Sequence, residues 1–333
     1  MSRKPKLLIL ELWGLGDLAI ASKFIREASQ SFEVTVLAKP YAHDLQKALW
    51  PEVKVISFTA PWTAFRGKYK LLKWPWTDLL RLSRKLRKEK FDIAVSGRWD
   101  PRDHGWMRVC GAKKCIGFPR SGSQYLLNQT LPIPDQKAHR YDQWKTVGKA
   151  IGVEIPDWKS QHSEDDRSQK IQTAIVHTGA AQPVRVWPLD RYSKLISFLE
   201  NQGINVQLIC DTNQEEWWKE NGRTPVSPRS VSELIQIIEA GDIFIGNDSG
   251  PGHLAAALDV PTLTVFGPQL TEWFRPAHNL GKVVEGKDCE YKPCFDSCRF
   301  ETPHCMMGVT YEDVMIKTQE FLAQFKTPPP EQI

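Results

Sequence analysis

The chain has 333 residues, 41% of them apolar and 25% charged, which excludes a disordered chain and leaves room for two domains of about 150 residues each. Seven cysteines without an export signal point to a reducing, cytoplasmic setting and exclude a disulfide framework. The net charge of +5 is modest but unevenly placed, because residues 61–90 hold ten Lys or Arg against two Asp or Glu.

The pattern opens as strand, Gly-rich turn, helix. Residues 7–12 are apolar apart from Glu11, Gly14-Leu15-Gly16-Asp17 breaks the run, and residues 18–28 have helical spacing. Glu11 and Asp17 also cut the apolar run short of a signal-peptide core or a membrane span. Further strands are predicted at 34–38, 53–58 and 93–95, with helical patterns between several of them. Strands alternating with helices imply a parallel sheet covered on both faces. Residues 156–172 turn polar and read as a linker after a first domain of 1–155. A second α/β run fills 173–326: strands at 173–177, 206–210, 243–245 and 262–266, helices at 190–201, 231–240 and 253–258, and a last helix over 311–325. The Pro-rich tail, 327–333, is expected to be disordered.

Two loops carry candidate chemistry. Gly246-Asn247-Asp248-Ser249-Gly250-Pro251-Gly252-His253 lies between an apolar strand and a helix. Three glycines permit close backbone approach, and the helix start offers unpaired N–H groups to phosphate oxygens. The plain alternative is a tight turn capped by Asp248 or Ser249. The second loop, His177-Thr178-Gly179-Ala180-Ala181-Gln182-Pro183-Val184-Arg185-Val186-Trp187-Pro188, also follows a strand. Arg185 there offers a fixed fork of donors to a diphosphate, or is a surface Arg beside a structural Trp-Pro.

Taken in order, Gly16-Asp17, Arg185-Val186-Trp187-Pro188, residues 246–258, and Val260-Pro261-Thr262 through Gly267-Pro268 resemble the motifs of glycosyltransferase family 9, which contains the lipopolysaccharide heptosyltransferases. The resemblance implies the GT-B fold: two Rossmann-like α/β domains with parallel sheets facing a central cleft, the acceptor on the first and the nucleotide sugar on the second. It implies Asp17 as general base, with Thr178, Arg185, Asp248, Ser249, Gly250 and His253 on the donor, ADP-heptose. The reaction it implies inverts the anomeric centre and needs neither metal nor cofactor. Two departures bear on specificity. Trp13-Gly14-Leu15 stands where the family has small hydroxyl residues, and Ala180-Ala181 replace hydroxyl residues that often precede the basic clamp.

Gly14-Leu15-Gly16-Asp17-Leu18-Ala19 also fits a dinucleotide fingerprint, but Asp17 would repel a pyrophosphate, and the second strand ends at Ala38-Lys39 where an acidic ribose partner belongs. Residues 61–90 interleave aromatics with basic groups, which suits phospholipid headgroups or an anionic glycolipid acceptor at the inner face of the membrane. Gly16, Arg66, Lys68, Lys70 and Trp74 are the expected acceptor- or membrane-facing residues, and nucleic acid is not an expected partner. Within 78–90 the alternative is an ordinary helix with Leu79, Leu80, Leu82 and Leu86 as its buried stripe. Cys289, Cys294, Cys298 and Cys305, with His304 adjacent, are spaced C-x4-C-x3-C-x6-C, which is compatible with a metal site, a reversible disulfide or free thiols.

Overall fold

The structure, a computed structural model, describes residues 3–64, 70–135, 137–160 and 170–325. Arg66 and Lys68, residues 161–169 of the expected linker, and the expected disordered tail lie outside the described residues. The chain divides into two compact units, Met1–Ile155 and Pro156–Ile333.

The first unit runs β1 (Lys6–Leu10), α1 (Leu15–Ser31), β2 (Glu33–Ala38), α2 (Ala42–Leu49), β3 (Lys54–Ser57), α3 (Trp76–Glu89), β4 (Ile93–Ser96), α4 (Pro101–Val109), β5 (Lys114–Gly117), β6 (Gln129–Thr130) and α5 (Arg140–Ala150). Its six strands pair in parallel in the order β3-β2-β1-β4-β5-β6. Leu7, Leu8, Ile9 and Leu10 are all buried, because β1 is central and covered on both faces, and its continuous apolar run follows from that position.

The second unit runs β7 (Thr173–His177), α6 (Leu189–Asn201), β8 (Asn205–Ile209), α7 (Glu215–Glu220), α8 (Val231–Glu239), β9 (Ile243–Asn247), α9 (Gly250–Ala257), β10 (Thr262–Phe266), α10 (Thr271–Phe274), β11 (Lys282–Glu285), α11 (His304–Met307) and α12 (Tyr311–Ala323). Its five strands are also parallel, in the order β11-β10-β9-β7-β8. Helix α12 closes this unit's own core through Val314 and Phe321.

In each sheet the strand order reverses once, between β1 and β4 in the first and between β7 and β9 in the second. Open parallel sheets bind ligands outside the carboxyl ends of the strands at such switch points. The loops after β1 and β4, and those after β7 and β9, are therefore the places to look.

Two half-sites at the switch points

In the first unit, Asp17 sits in the opening turn of α1. One carboxylate oxygen accepts the Gly14 N–H at 3.2 Å, satisfying one of the unpaired donors of the helix start. The other accepts from Arg98 Nη1 at 2.7 Å, across the switch point from the loop after β4. Arg98 also lies over the Trp13 ring at 4.3 Å. A Cβ on Gly97 would meet Trp144 at 2.7 Å, so glycine there lets α5 pack close and brings Arg140 and Gln143 to the same place. Glu11, Asp17, Arg98, Arg140 and Gln143 line a cavity of about 10 Å³, close to the space one water needs.

Burial and the neighbouring Asp17 push the Glu11 carboxyl up to about 8, although Arg98 opposes the shift. Glu11 is therefore largely protonated at neutral pH. Desolvation, with the neighbouring Arg98, pulls Arg140 down to about 10, and desolvation lowers Lys39, while Asp17 opposes both shifts. Arg98 and Arg140 line the cavity beside Asp17, and Lys39 feels its charge from further off, a concentration of cations that suits an anionic ligand. None of Glu11, Lys39, Arg98 and Arg140 was singled out from the sequence as part of a site.

The Glu11 shift has a consequence for stability. The folded carboxyl titrates near 8 and the reference value is 4.5, so the folded state holds the proton more tightly and stability declines as pH rises from 4.5 to about 8. Glu11→Gln keeps the shape of the protonated acid and cannot ionise. Thermal melts across this range should show a shallower decline for the variant and a higher melting temperature than wild type at pH 8; parallel curves would contradict the assignment.

In the second unit the loop after β9 delivers Asp248, Ser249 and the start of α9, and the loop after β7 delivers Thr178 and Arg185. Arg185 Nε and Nη2 donate to the two oxygens of Asp296 at 2.7 and 2.8 Å, and Nη1 donates to Asp248 Oδ2 at 3.1 Å. The Arg185–Asp248 contact spans this sheet's switch point as Arg98–Asp17 spans the other. Arg185 is thus not a bare clamp: its fork is shared between two carboxylates. Burial raises the Asp248 carboxyl to about 6 against the opposing effect of Arg185. Asp248 is 2% exposed and turned onto Arg185, which makes its carboxylate a partner of the guanidinium.

Thr178 opens the loop after β7. It is fully buried, with its hydroxyl donating to Gln214 at 2.9 Å and accepting from Trp218 Nε1 at 3.2 Å, so its side chain braces the loop. Ser249 is the N-cap of α9, yet its buried Oγ has no hydrogen-bond partner and makes no cap bond. Gly250 is the first residue of α9, where backbone N–H groups lack intrahelical acceptors, and His253 is the fourth. His253 itself is buried. His177 is held neutral by burial, its ring pulled down to about 4, although Asp211 lies 3.8 Å away.

Asn247 ties the two loops together. Its Nδ2 donates to the Thr178 and Gly179 carbonyls at 2.9 and 3.2 Å, and its Oδ1 accepts from Trp187 N and Tyr192 OH at 3.0 and 2.9 Å. Asn247→Ala leaves several fully buried polar groups without partners. Unfolding in urea should show a loss of about 3 kcal/mol, and a loss under about 1 kcal/mol would mean that water replaces the amide.

Cys289, Cys294, Cys298 and Cys305 are free thiols around one small apolar cavity with Phe300 and His304. Among the described residues no three His, Cys, Asp or Glu side chains are gathered as a metal-ligand set. Cys110 and Cys115 are buried packing residues, with thiols pushed up by desolvation.

Two parallel, doubly wound units, each with charged side chains at its switch point, make up the GT-B architecture. The profile of glycosyltransferase family 9 (heptosyltransferase) matches residues 79–304, which include Arg98, Arg185 and the 246–253 loop and leave Asp17 upstream. The chain is 30% identical over 241 residues to lipopolysaccharide heptosyltransferase 1 of Pseudomonas aeruginosa, covering 66% of this chain and 67% of that one. It is 26% identical over 161 residues to lipopolysaccharide heptosyltransferase 1 of Campylobacter coli, covering 44% and 45%. The chain thus spans less than half the length of this second curated relative. Escherichia coli heptosyltransferase WaaC, solved with ADP, superposes with a TM-score of 0.74 at 15% identity over 95% of this chain and 99% of that one. The chain belongs to glycosyltransferase family 9.

Proposed function

We propose that the protein is an inverting heptosyltransferase of lipopolysaccharide assembly, transferring heptose from ADP-heptose to an anionic glycolipid acceptor at the inner face of the cytoplasmic membrane. The observation that carries this reading is the Asp17 carboxylate, oriented at a switch point by Arg98 and the Gly14 N–H beside a cavity that Arg140 also lines. Family membership and the ADP held by the Escherichia coli relative support the donor class.

In this reading Asp17 takes the proton from an acceptor hydroxyl as its oxygen attacks the anomeric carbon. The bond from that carbon to the diphosphate oxygen breaks, and the electron pair leaves with ADP. Arg98, Arg140 and Lys39 hold the acceptor's negative charge. The departing diphosphate is stabilised by Arg185 and by the free N–H groups at the start of α9, with Ser249 Oγ as an additional hydrogen-bonding group. Charge on the leaving group is thus met by the chain's own residues, and no step is assigned to a metal or cofactor.

The test is a calorimetric titration with ADP, UDP, GDP and NAD, followed by a transfer assay with ADP-heptose and a heptose-free lipopolysaccharide core. ADP preference with transfer is the expected result. Preference for UDP or GDP would replace the donor while keeping the chemistry, and ADP binding without transfer would turn the reading into a binding protein of the same fold.

A further inference from the structure

The basic and aromatic stretch of the first unit is organised differently from what its sequence suggested. Trp74 faces inward: its ring lies 5.7 Å from Trp62 and 5.5 Å from Trp76, and Trp62 Nε1 is anchored on buried Asp103 at 2.8 Å. In α3, Leu79 and Leu86 are buried, but Leu80 departs from the expected stripe and points outward. The outward side chains are Leu71, Leu72, Trp76 and Leu80, which are 54%, 99%, 50% and 54% exposed. Trp76 Nε1 donates to the Leu71 carbonyl at 2.9 Å, so the turn over Leu71–Lys73 is fastened to the start of α3. Trp76, Leu80, Arg84 and Lys88 follow at intervals of four, forming one row of the helix that is apolar at its start and basic further along. Lys70, Lys73 and Lys85 add exposed positive charge nearby.

A buried aromatic anchor beneath an exposed apolar ridge is costly in water and carries no load in the core of the unit. We propose that this ridge docks the protein onto a bilayer surface rich in anionic phospholipid. Leu71, Leu72, Trp76 and Leu80 enter the boundary between headgroups and acyl chains, and Lys70, Lys73, Arg84 and Lys88 lie along the phosphates. The charge complementarity selects an anionic surface. The near-complete exposure of Leu72 selects a fluid one, since among the described residues no side chain covers it. Nucleic acid is a poorer match, because the most exposed apolar groups are leucines, which cannot stack on bases. Docking here deepens the proposed function by assigning the residues that bring the protein to a membrane-held acceptor. Vesicle binding is measured without turnover, so the two readings fail separately.

The experiment is flotation of the full chain with vesicles of phosphatidylethanolamine and phosphatidylglycerol, compared with vesicles of phosphatidylcholine alone. Wild type should float with the anionic vesicles. Leu71→Asp with Leu72→Asp should cut that binding at least about tenfold while calorimetric ADP binding stays unchanged. Arg84→Glu with Lys88→Glu should weaken it as well, and Leu72→Trp should preserve it. Vesicle binding that is indifferent to the leucine variants, or equal on both vesicle types, would overturn the proposal. So would a heparin affinity that tracks the basic residues while vesicle binding is absent, which would mark the surface as a site for a soluble polyanion.

Discussion

Asp17→Asn should lower kcat by about a thousandfold, the scale expected when a general base is lost, while the KM for donor changes little. The variant separates chemistry from structure. An Asn side chain still accepts the Gly14 N–H that Asp17 holds at 3.2 Å, so the start of α1 keeps its cap. The ion pair with Arg98 is lost, but both side chains are about one-fifth exposed and its contribution is screened, so the melting temperature should move by only a few degrees. Initial rates of ADP release with matched thermal melts make the comparison. Turnover within about threefold of wild type would remove Asp17 from the chemistry and leave it as a helix cap.

Arg185→Ala should act on both stability and donor use. Removing the guanidinium strips buried Asp248 of its charge partner at 3.1 Å and leaves Asp296 without its two-pronged contact. The loss of stability should be about 2–3 kcal/mol, below the usual cost of breaking a fully buried pair because Arg185 is partly exposed and Asp248 can take up a proton. Loss of leaving-group stabilisation should lower kcat about a hundredfold further. Asp296→Asn distinguishes the two effects. It keeps the Asp248 contact and removes one of the two carboxylates that compete with a diphosphate for the guanidinium, so ADP should bind several-fold more tightly to it than to wild type. Calorimetric titration of the three proteins decides the matter. Equal weakening in Arg185→Ala and Asp296→Asn would mean that the cluster is a structural fastening and that the diphosphate is held elsewhere on the unit.

The two half-sites show where reading along the chain succeeds. β1, β7 and β10 declare themselves because buried parallel strands are short, mostly apolar runs bounded by turn residues, and the Gly-rich break after β9 is local in sequence and in space. Short or polar elements such as β5, β6, β11 and α5 were not identified, since each owes its conformation to neighbours already in place. Thr178 and Asp248 lie in the expected loops, but which way their polar side chains turn is decided by burial and by the partners Gln214, Trp218 and Arg185. Trp74 and Leu80 exchanged faces for a related reason: an aromatic in a basic stretch looks exposed until Trp62 supplies a surface to pack on.

The sequence by itself determined the class of architecture, the family, and the positions of Asp17, Arg185 and the 246–253 loop, because all of these are encoded within a strand and the turn that follows it. The tertiary structure alone decided the pairs that give those residues their chemistry. Arg98 meets Asp17 across 81 positions of chain, and Asp296 meets Arg185 across 111. Charge interactions act through space, and burial that neutralises Glu11 or raises Asp248 exists only once both sheets have formed, so neither leaves a periodic trace in the order of the residues.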